Sequence, residues 1–196
     1  MDSPSRKPWC VWWWGPLVAA IIVVLRWYGD PSADESLTLT AAWQVSQGLV
    51  LYRDFFEFHP PGTFYLFGAL FALGGPSYAA AKILLAALTL ATAVVLDHIV
   101  RLFTRRVWHR LVMQLTWIIC WWQIAPISYQ TMGHLASIWA AYPLVRAWQR
   151  HPRRQIGNGW FALAGLATAA VAWFMQPHGA VLAAVGGGMA LATRRW

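Results

Sequence analysis

Negative charge is scarce in this chain. Seven Asp and Glu stand against fifteen Lys and Arg in 196 residues, and only 11% of the residues are charged. Soluble domains carry about 25% charged residues, so an extensive solvated surface is excluded. With 59% hydrophobic residues, the balance is that of a membrane protein. Cysteine is scarce too: Cys10 and Cys120 both fall in apolar runs, where a thiol packs as a small hydrophobe and says nothing of the redox compartment. Internal repeats and low-complexity linkers are also missing. Residues 1–196 are therefore read as a single membrane domain.

Apolar runs are what the chain has in quantity. A spanning helix needs about 20 mostly apolar residues. Runs near 9–28, 77–100, 108–125, 133–149, 159–175 and 179–193 predict an all-α, polytopic protein of about six transmembrane helices. A net charge of +8 raises nucleic acid as a partner, and the placement of the basic residues argues against it. Arg6 and Lys7 precede the first run, Arg101, Arg105, Arg106 and Arg110 join the second to the third, and Arg146, Arg150, Arg153 and Arg154 join the fourth to the fifth. Arg194 and Arg195 follow the last. Twelve of the fifteen cations thus fall on one side of a six-span chain. Loops rich in Lys and Arg stay cytoplasmic, which predicts a multi-pass cell (inner) membrane protein with a cytoplasmic N-terminus and an outward first loop. The first run is Trp-rich, carries Arg26 and lacks a small-residue cleavage site, so it reads as a retained anchor. Trp9, Trp12, Trp13, Trp14, Trp121 and Trp122 sit at run edges, where the amphipathic indole suits the headgroup level.

Five of the seven carboxylates, Asp30, Asp34, Glu35, Asp54 and Glu57, crowd into that outward loop. Ser32 with Glu35 three residues on forms a capping box, which predicts a helix from about Ala33. Leu37, Ala41 and Val45 share one face of it, and Gly48 ends it. Pro60 and Pro61 open a second short helix, because the first helical turn does not need the N–H that proline lacks. Thr63 to Leu73 reaches Gly74, Gly75 and Pro76 too soon to span. Both helices are expected to lie at the membrane interface.

The sequence Asp34-Glu35, Ala41-Ala42-Trp43, Gly48, the run from Leu51 to Phe58 and His59-Pro60-Pro61-Gly62 resembles the first outer loop of the polyprenyl-phosphate-sugar glycosyltransferases. These are integral-membrane enzymes of the C superfamily, among them the protein O-mannosyltransferases and the lipid A aminoarabinose transferase. The Gly75-Pro76-Ser77 turn, Ala164-Gly165-Leu166 and Met175-Gln176-Pro177-His178-Gly179 extend the likeness, although relatives often place a Lys before the Pro-x-Gly. The chain corresponds to the N-terminal part of such an enzyme, which usually carries further spans, so a fragment or a reduced relative is expected. The resemblance implies transfer of a sugar from a polyprenyl-phosphate-linked donor to an acceptor hydroxyl on a lipid, glycan or protein at the outer face. It also places the catalytic acid at Asp34.

Physical chemistry supplies a parallel reading. An acceptor hydroxyl is a poor nucleophile at neutral pH, and a carboxylate that takes its proton contributes about 10²–10⁴-fold. Asp34 suits that role, and as an early helical residue it is equally favoured by the helix dipole. Glu35 reads first as the capping partner. A leaving phosphate needs cations or N–H donors. Arg53, Lys82 and Arg26 are the outward basic side chains and His59 adds a donor, so Glu35, Arg53, Asp54, His59 and Lys82 form the candidate substrate-binding set. Arg53 beside Asp54 reads equally as a surface ion pair. Lys82 lies inside an apolar run, where an ionisable group signals function or a stem that snorkels. His59, His134 and His178 share the outward side, yet their spacing matches no zinc pattern; no cofactor is expected, a divalent ion being the exception that stays open. Asp97 and His98 read as interface residues. Two rivals remain: a non-catalytic or truncated relative that partners a glycan or envelope assembly complex, and a small transporter, which would want polar or broken helices in corresponding halves.

Overall fold

A computed structural model describes residues 17, 20–21, 32–122, 126–150 and 159–193. The predicted first span (9–28, apart from Leu17, Ala20 and Ile21), Arg26, Asp30 and the connection at 151–158 lie outside the described residues. From residue 32 onward the described residues form seven helices: α1 (Ala33–Ser46), α2 (Gly62–Gly74), α3 (Tyr78–Phe103), α4 (Val107–Trp122), α5 (Tyr129–Arg150), α6 (Gly159–Phe174) and α7 (Gln176–Thr193). The all-α expectation holds for them. Of these helices, only α3 is both long and apolar enough by length and composition to cross a membrane. At about 1.5 Å per residue, the 16 residues of α4 or α6 reach only about 24 Å, short of a bilayer core of about 30 Å. Polar residues such as Gln130, His134, Arg146 and Gln149 dilute the 22-residue α5.

The local signals act as read. Ser32 Oγ accepts from the Glu35 N–H at 3.2 Å while Glu35 Oε2 accepts from the Ser32 N–H at 3.3 Å, so the capping box closes at the start of α1. Past its end, Gly48 adopts φ +89°, a conformation that costs glycine little. Helix α2 starts straight after Pro60-Pro61 and ends at Gly75, whose N–H donates to the Phe71 carbonyl at 2.8 Å. Gly68 lets α1 and α2 cross closely: a Cβ there would lie 2.8 Å from Val45 Cγ1 and 3.1 Å from the Ala42 carbonyl oxygen.

Helix α3 buries Ala81, Leu85, Thr89, Thr92, Ala93 and Val100, a stripe at helical spacing. Trp139 Nε1 donates to Thr92 Oγ1 at 2.8 Å and Gln149 Nε2 donates to the Leu102 carbonyl at 2.8 Å, tying α5 to α3 at two levels. Gln114 Nε2 ties α4 to the Ala93 carbonyl at 3.0 Å. Helices α5, α6 and α7 pack on one another, and Ala42, Phe67, Phe71, Ala81, Leu85, Ile127, Met132 and Leu135 form the core shared with α1 and α2.

The start of α3 (Tyr78 and Lys82), the segment before α5 (Ile127) and the end of α6 (Trp173 and Phe174) all meet the α1–α2 layer. That layer therefore caps one end of the bundle. Arg101, Arg105, Arg106, Arg110 and Arg146 lie along the opposite halves of α3 and α5 and in the turn and first helical turn of α4. The sequence reading took Asp97 for an interface residue, whereas it is buried at that far end. Its carboxylate accepts from Arg110 Nε and Nη2 at 2.8 and 2.7 Å and pairs with Arg101 one turn on.

Candidate functional site

Glu35 is the hub of the capped end. Its side chain is 3% exposed, and Oε1 accepts from Lys82 Nζ at 2.6 Å and from the Ile127 N–H at 2.9 Å. Oε2 accepts from the Tyr78 hydroxyl at 3.0 Å. One carboxylate thus joins α1, the start of α3 and the segment leading into α5. Burial pushes the Glu35 carboxyl up, but the hydrogen bonds from Lys82, Ile127 and Tyr78 outweigh it and hold the carboxyl below its ordinary value. The sequence foresaw the capping role and missed the ion pair. Lys82 inside an apolar run was the available signal, because a buried ammonium requires a partner.

Asp34 stands one position earlier and is exposed. No hydrogen bond or ion pair engages its side chain among the described residues. Successive residues on a helix point about 100° apart, so fixing Glu35 inward turns Asp34 toward solvent on a backbone that cannot rotate away.

Two residues past Ile127, the Tyr129 ring packs at a tilt on His59 with centroids 3.9 Å apart, and the Phe58 ring packs on it in the same way at 3.9 Å. Glu57 Oε1 is 2.7 Å from His59 Nδ1. It also accepts the backbone N–H groups of Phe58 and His59 at 2.9 and 3.3 Å. An ionised carboxylate only accepts, so Nδ1 carries hydrogen and Nε2 is the ring nitrogen left to take up or give a proton. The Tyr52 hydroxyl, donating to the His59 carbonyl, holds the loop closed. Tyr52 takes φ +67°, a left-handed conformation that is costly for a non-glycine residue. Glu57, Tyr129 and Tyr78 escaped the sequence reading because their roles depend on contacts made in space.

Arg53 and Asp54 pair with each other rather than with this group. Their ion pair, 2.8 Å long, is at the surface with the guanidinium 70% exposed. The Arg53 hydrogen bond and the Val50 N–H lower the Asp54 carboxyl to about 2. Leu51 packs back beside Ala41, still two helical turns short of Asp34. The structure therefore brings Glu35, Lys82 and His59 to Ile127–Tyr129, while Asp34 stands beside Glu35 with its side chain toward solvent and Arg53 and Asp54 pair with each other at the surface. His134 and His178 pair with each other on α5 and α7, their ring centroids 4.7 Å apart. Among the described residues no three His, Cys, Asp or Glu side chains form a metal-holding group.

Next to this end, Leu66, Leu88, Met132, Trp139, Pro143 and Phe174 help line an apolar cavity of about 510 Å³ between α2, α3, α5 and α6. A volume of that size is in the range of small-molecule and cofactor sites. Against known proteins, the chain matches no family model, no curated protein and no solved structure.

Proposed function

We propose that the chain is the donor-site part of a multi-pass membrane glycosyltransferase, transferring a sugar from a polyprenyl-phosphate donor to an acceptor hydroxyl at the outer membrane face. About six spans would include residues 9–28 and α3 to α7, the bilayer thinning to meet the short α4 and α6. The bundle end opposite the arginines faces outward by the positive-inside bias. Ile83, Ile119, Leu163, Leu166, Val181 and Leu191 expose apolar side chains, as lipid-facing helices do. One observation carries the reading: buried Glu35 anchors α1 by three long-range hydrogen bonds and leaves the adjacent Asp34 carboxylate exposed and, among the described residues, unpartnered at that end.

In this reading Asp34 takes the proton of the acceptor hydroxyl as its oxygen attacks the anomeric carbon, and the polyprenyl phosphate departs on the opposite side. His59 Nε2, protonated, donates to the leaving phosphate. Lys82 is committed to Glu35 and Arg53 to Asp54, so among the described outward donors His59 takes this role. The isoprenoid tail occupies the apolar cavity. No cofactor has a role in this displacement.

Transfer of radiolabelled sugar from decaprenyl- or undecaprenyl-phosphate donors, in membranes containing the protein, tests the reading. Asp34→Asn should lower transfer by about 10²–10⁴-fold with donor binding retained. Unchanged turnover removes Asp34 from the mechanism. A second reading, a non-catalytic partner in a glycan or envelope assembly complex, is favoured by the internal neutralisation of Lys82 by Glu35 and Arg53 by Asp54. Donor binding without transfer, equal in wild type and Asp34→Asn, would select it.

A further inference from the structure

Cations go unanswered at the end of the bundle opposite Glu35. Beyond Glu57 the chain holds a single carboxylate, Asp97, and Arg110 and Arg101 already share it. Arg146 on α5 therefore has no acid to pair with there, and among the described residues no hydrogen bond or ion pair engages it. What surrounds it is aromatic. Its guanidinium carbon stands 5.7 Å from the centroid of the Tyr142 ring, one turn back on α5, and 5.7 Å from that of the Trp160 ring at the start of α6. The two rings meet edge-on at 73°, their centroids 6.2 Å apart. Arg146 is half-buried between them, and its Nε is enclosed without a hydrogen-bond partner among the described residues.

Aromatic faces attract a guanidinium, but they do not supply the acceptors that its five N–H donors require, and an enclosed N–H left without one is costly. The cage positions a positive charge without neutralising it. An oxyanion with two acceptor oxygens completes such a site, because the planar guanidinium binds it as a fork. Depth identifies the source of the anion. Gln149 Nε2 donates to the Leu102 carbonyl, so the last turn of α5 stands beside the last turn of α3, and Arg146 lies about 4.5 Å inward of Gln149 at about 1.5 Å per residue. Phe103, Trp108 and Trp148, near the same level, are exposed, as aromatic residues are at the headgroup layer. One turn further in from the cage, Trp139 on α5 and Leu163 on α6 are exposed as well, an apolar track that an acyl chain can follow.

We infer that Arg146, caged by Tyr142 and Trp160, binds the headgroup phosphate of one anionic phospholipid from the leaflet that meets the arginine end. Basic sites between helices on the cytoplasmic side hold anionic headgroups in this manner. Arg105 and Arg106, exposed in the turn between α3 and α4 and without a described carboxylate partner, add attraction at longer range. A free phosphate ion would give up its hydration for a site walled by tyrosine and tryptophan, whereas a lipid already carries its phosphate at this depth with chains that cover the apolar track. The inference rests on the membrane placement of the bundle given above and not on the transfer chemistry.

The test uses the whole chain in a non-ionic detergent, titrated with phosphatidylglycerol and, separately, with phosphatidylcholine of the same acyl chains. Native mass spectrometry counts the bound lipid. Phosphatidylglycerol should fill one tight site per chain, at least about 10-fold more tightly than phosphatidylcholine, and Arg146→Gln should weaken it at least about 10-fold. Arg146→Lys keeps the charge and loses the fork, so it should recover only part of the binding. Arg105→Gln and Arg106→Gln should each cost about 5-fold, an effect that high salt removes because these charges are exposed. Lipid-free unfolding midpoints check that each variant folds. Should Arg146→Gln not fold, Trp160→Leu, which takes away one wall of the cage and leaves the charge, should weaken binding by about 3-fold or more. Equal affinity for the two lipids, wild-type affinity for phosphatidylglycerol in the folded Arg146→Gln or Trp160→Leu variant, or displacement of the lipid by excess inorganic phosphate overturns the assignment. None of these measurements passes through sugar transfer, so failure here is distinct from failure of the proposed activity.

Discussion

Replacing Glu35 by Gln keeps the shape of the hub and removes its charge. Lys82, whose side chain is 9% exposed, then holds an uncompensated ammonium in the protein interior. Breaking a buried pair on one side costs about 3–5 kcal/mol. The Ile127 N–H and Tyr78 hydroxyl also lose their charged acceptor. Taking about 4 kcal/mol, and about 2–4 °C per kcal/mol for a chain of this size, the unfolding midpoint should fall by about 8–16 °C. Lys82→Met alone should do comparable damage by stranding the carboxylate. The double Glu35→Gln/Lys82→Met variant removes both charges and should regain most of the loss, far from the sum of the two single losses. Tryptophan fluorescence of the detergent-solubilised protein follows the transition. Additive losses in the double variant, or a midpoint within about 2 °C of wild type for Glu35→Gln, would refute the hub. The pH dependence has a definite sign. The folded Glu35 carboxyl titrates below its ordinary 4.5, so its contribution is complete above that value and is lost as pH falls through the lower folded value. In Glu35→Gln that part of the acid sensitivity should disappear.

The remaining predictions concern other parts of the molecule. Arg53→Ala should let the Asp54 carboxyl rise from about 2 toward its ordinary range, read by carboxyl NMR, with the midpoint near neutral pH unmoved. Asp97→Ala removes a buried carboxylate from Arg110 and Arg101 and should destabilise by about 3–5 kcal/mol, unlike Asp54→Ala at the surface. Gly68→Val drives a side chain into Val45 and the Ala42 carbonyl and should cost about 1–3 kcal/mol by forcing α1 off α2. A thiol at Ser36→Cys, on the exposed face of α1, should react with an impermeant reagent only from outside the cell; labelling solely from the interior would invert the proposed topology.

Local signals settled most of the fold's boundaries. Ser32 and Glu35 start α1, Gly48 ends it, Pro60 and Pro61 introduce α2, and Gly75 closes it, because caps and turns depend on a residue and its near neighbours in the chain. Apolar runs located the remaining helices to within a few residues. Composition and the scatter of arginines are likewise legible without coordinates, since they require no knowledge of what touches what.

Partnership is what the tertiary structure alone decided. Glu35 meets Lys82 47 positions away and Ile127 92 positions away, and Asp97 meets Arg110 across the α3–α4 turn. The sequence names each of these charges without saying which are neutralised, and that distinction separates Asp34, left open, from Glu35, closed. His134 and His178 read only as histidines on the same outward side until helix packing brought their rings together. The physical reason is common to all three cases. A buried polar group is stable only with a partner, and the partner is chosen by how helices pack, a property that no local stretch of the chain contains.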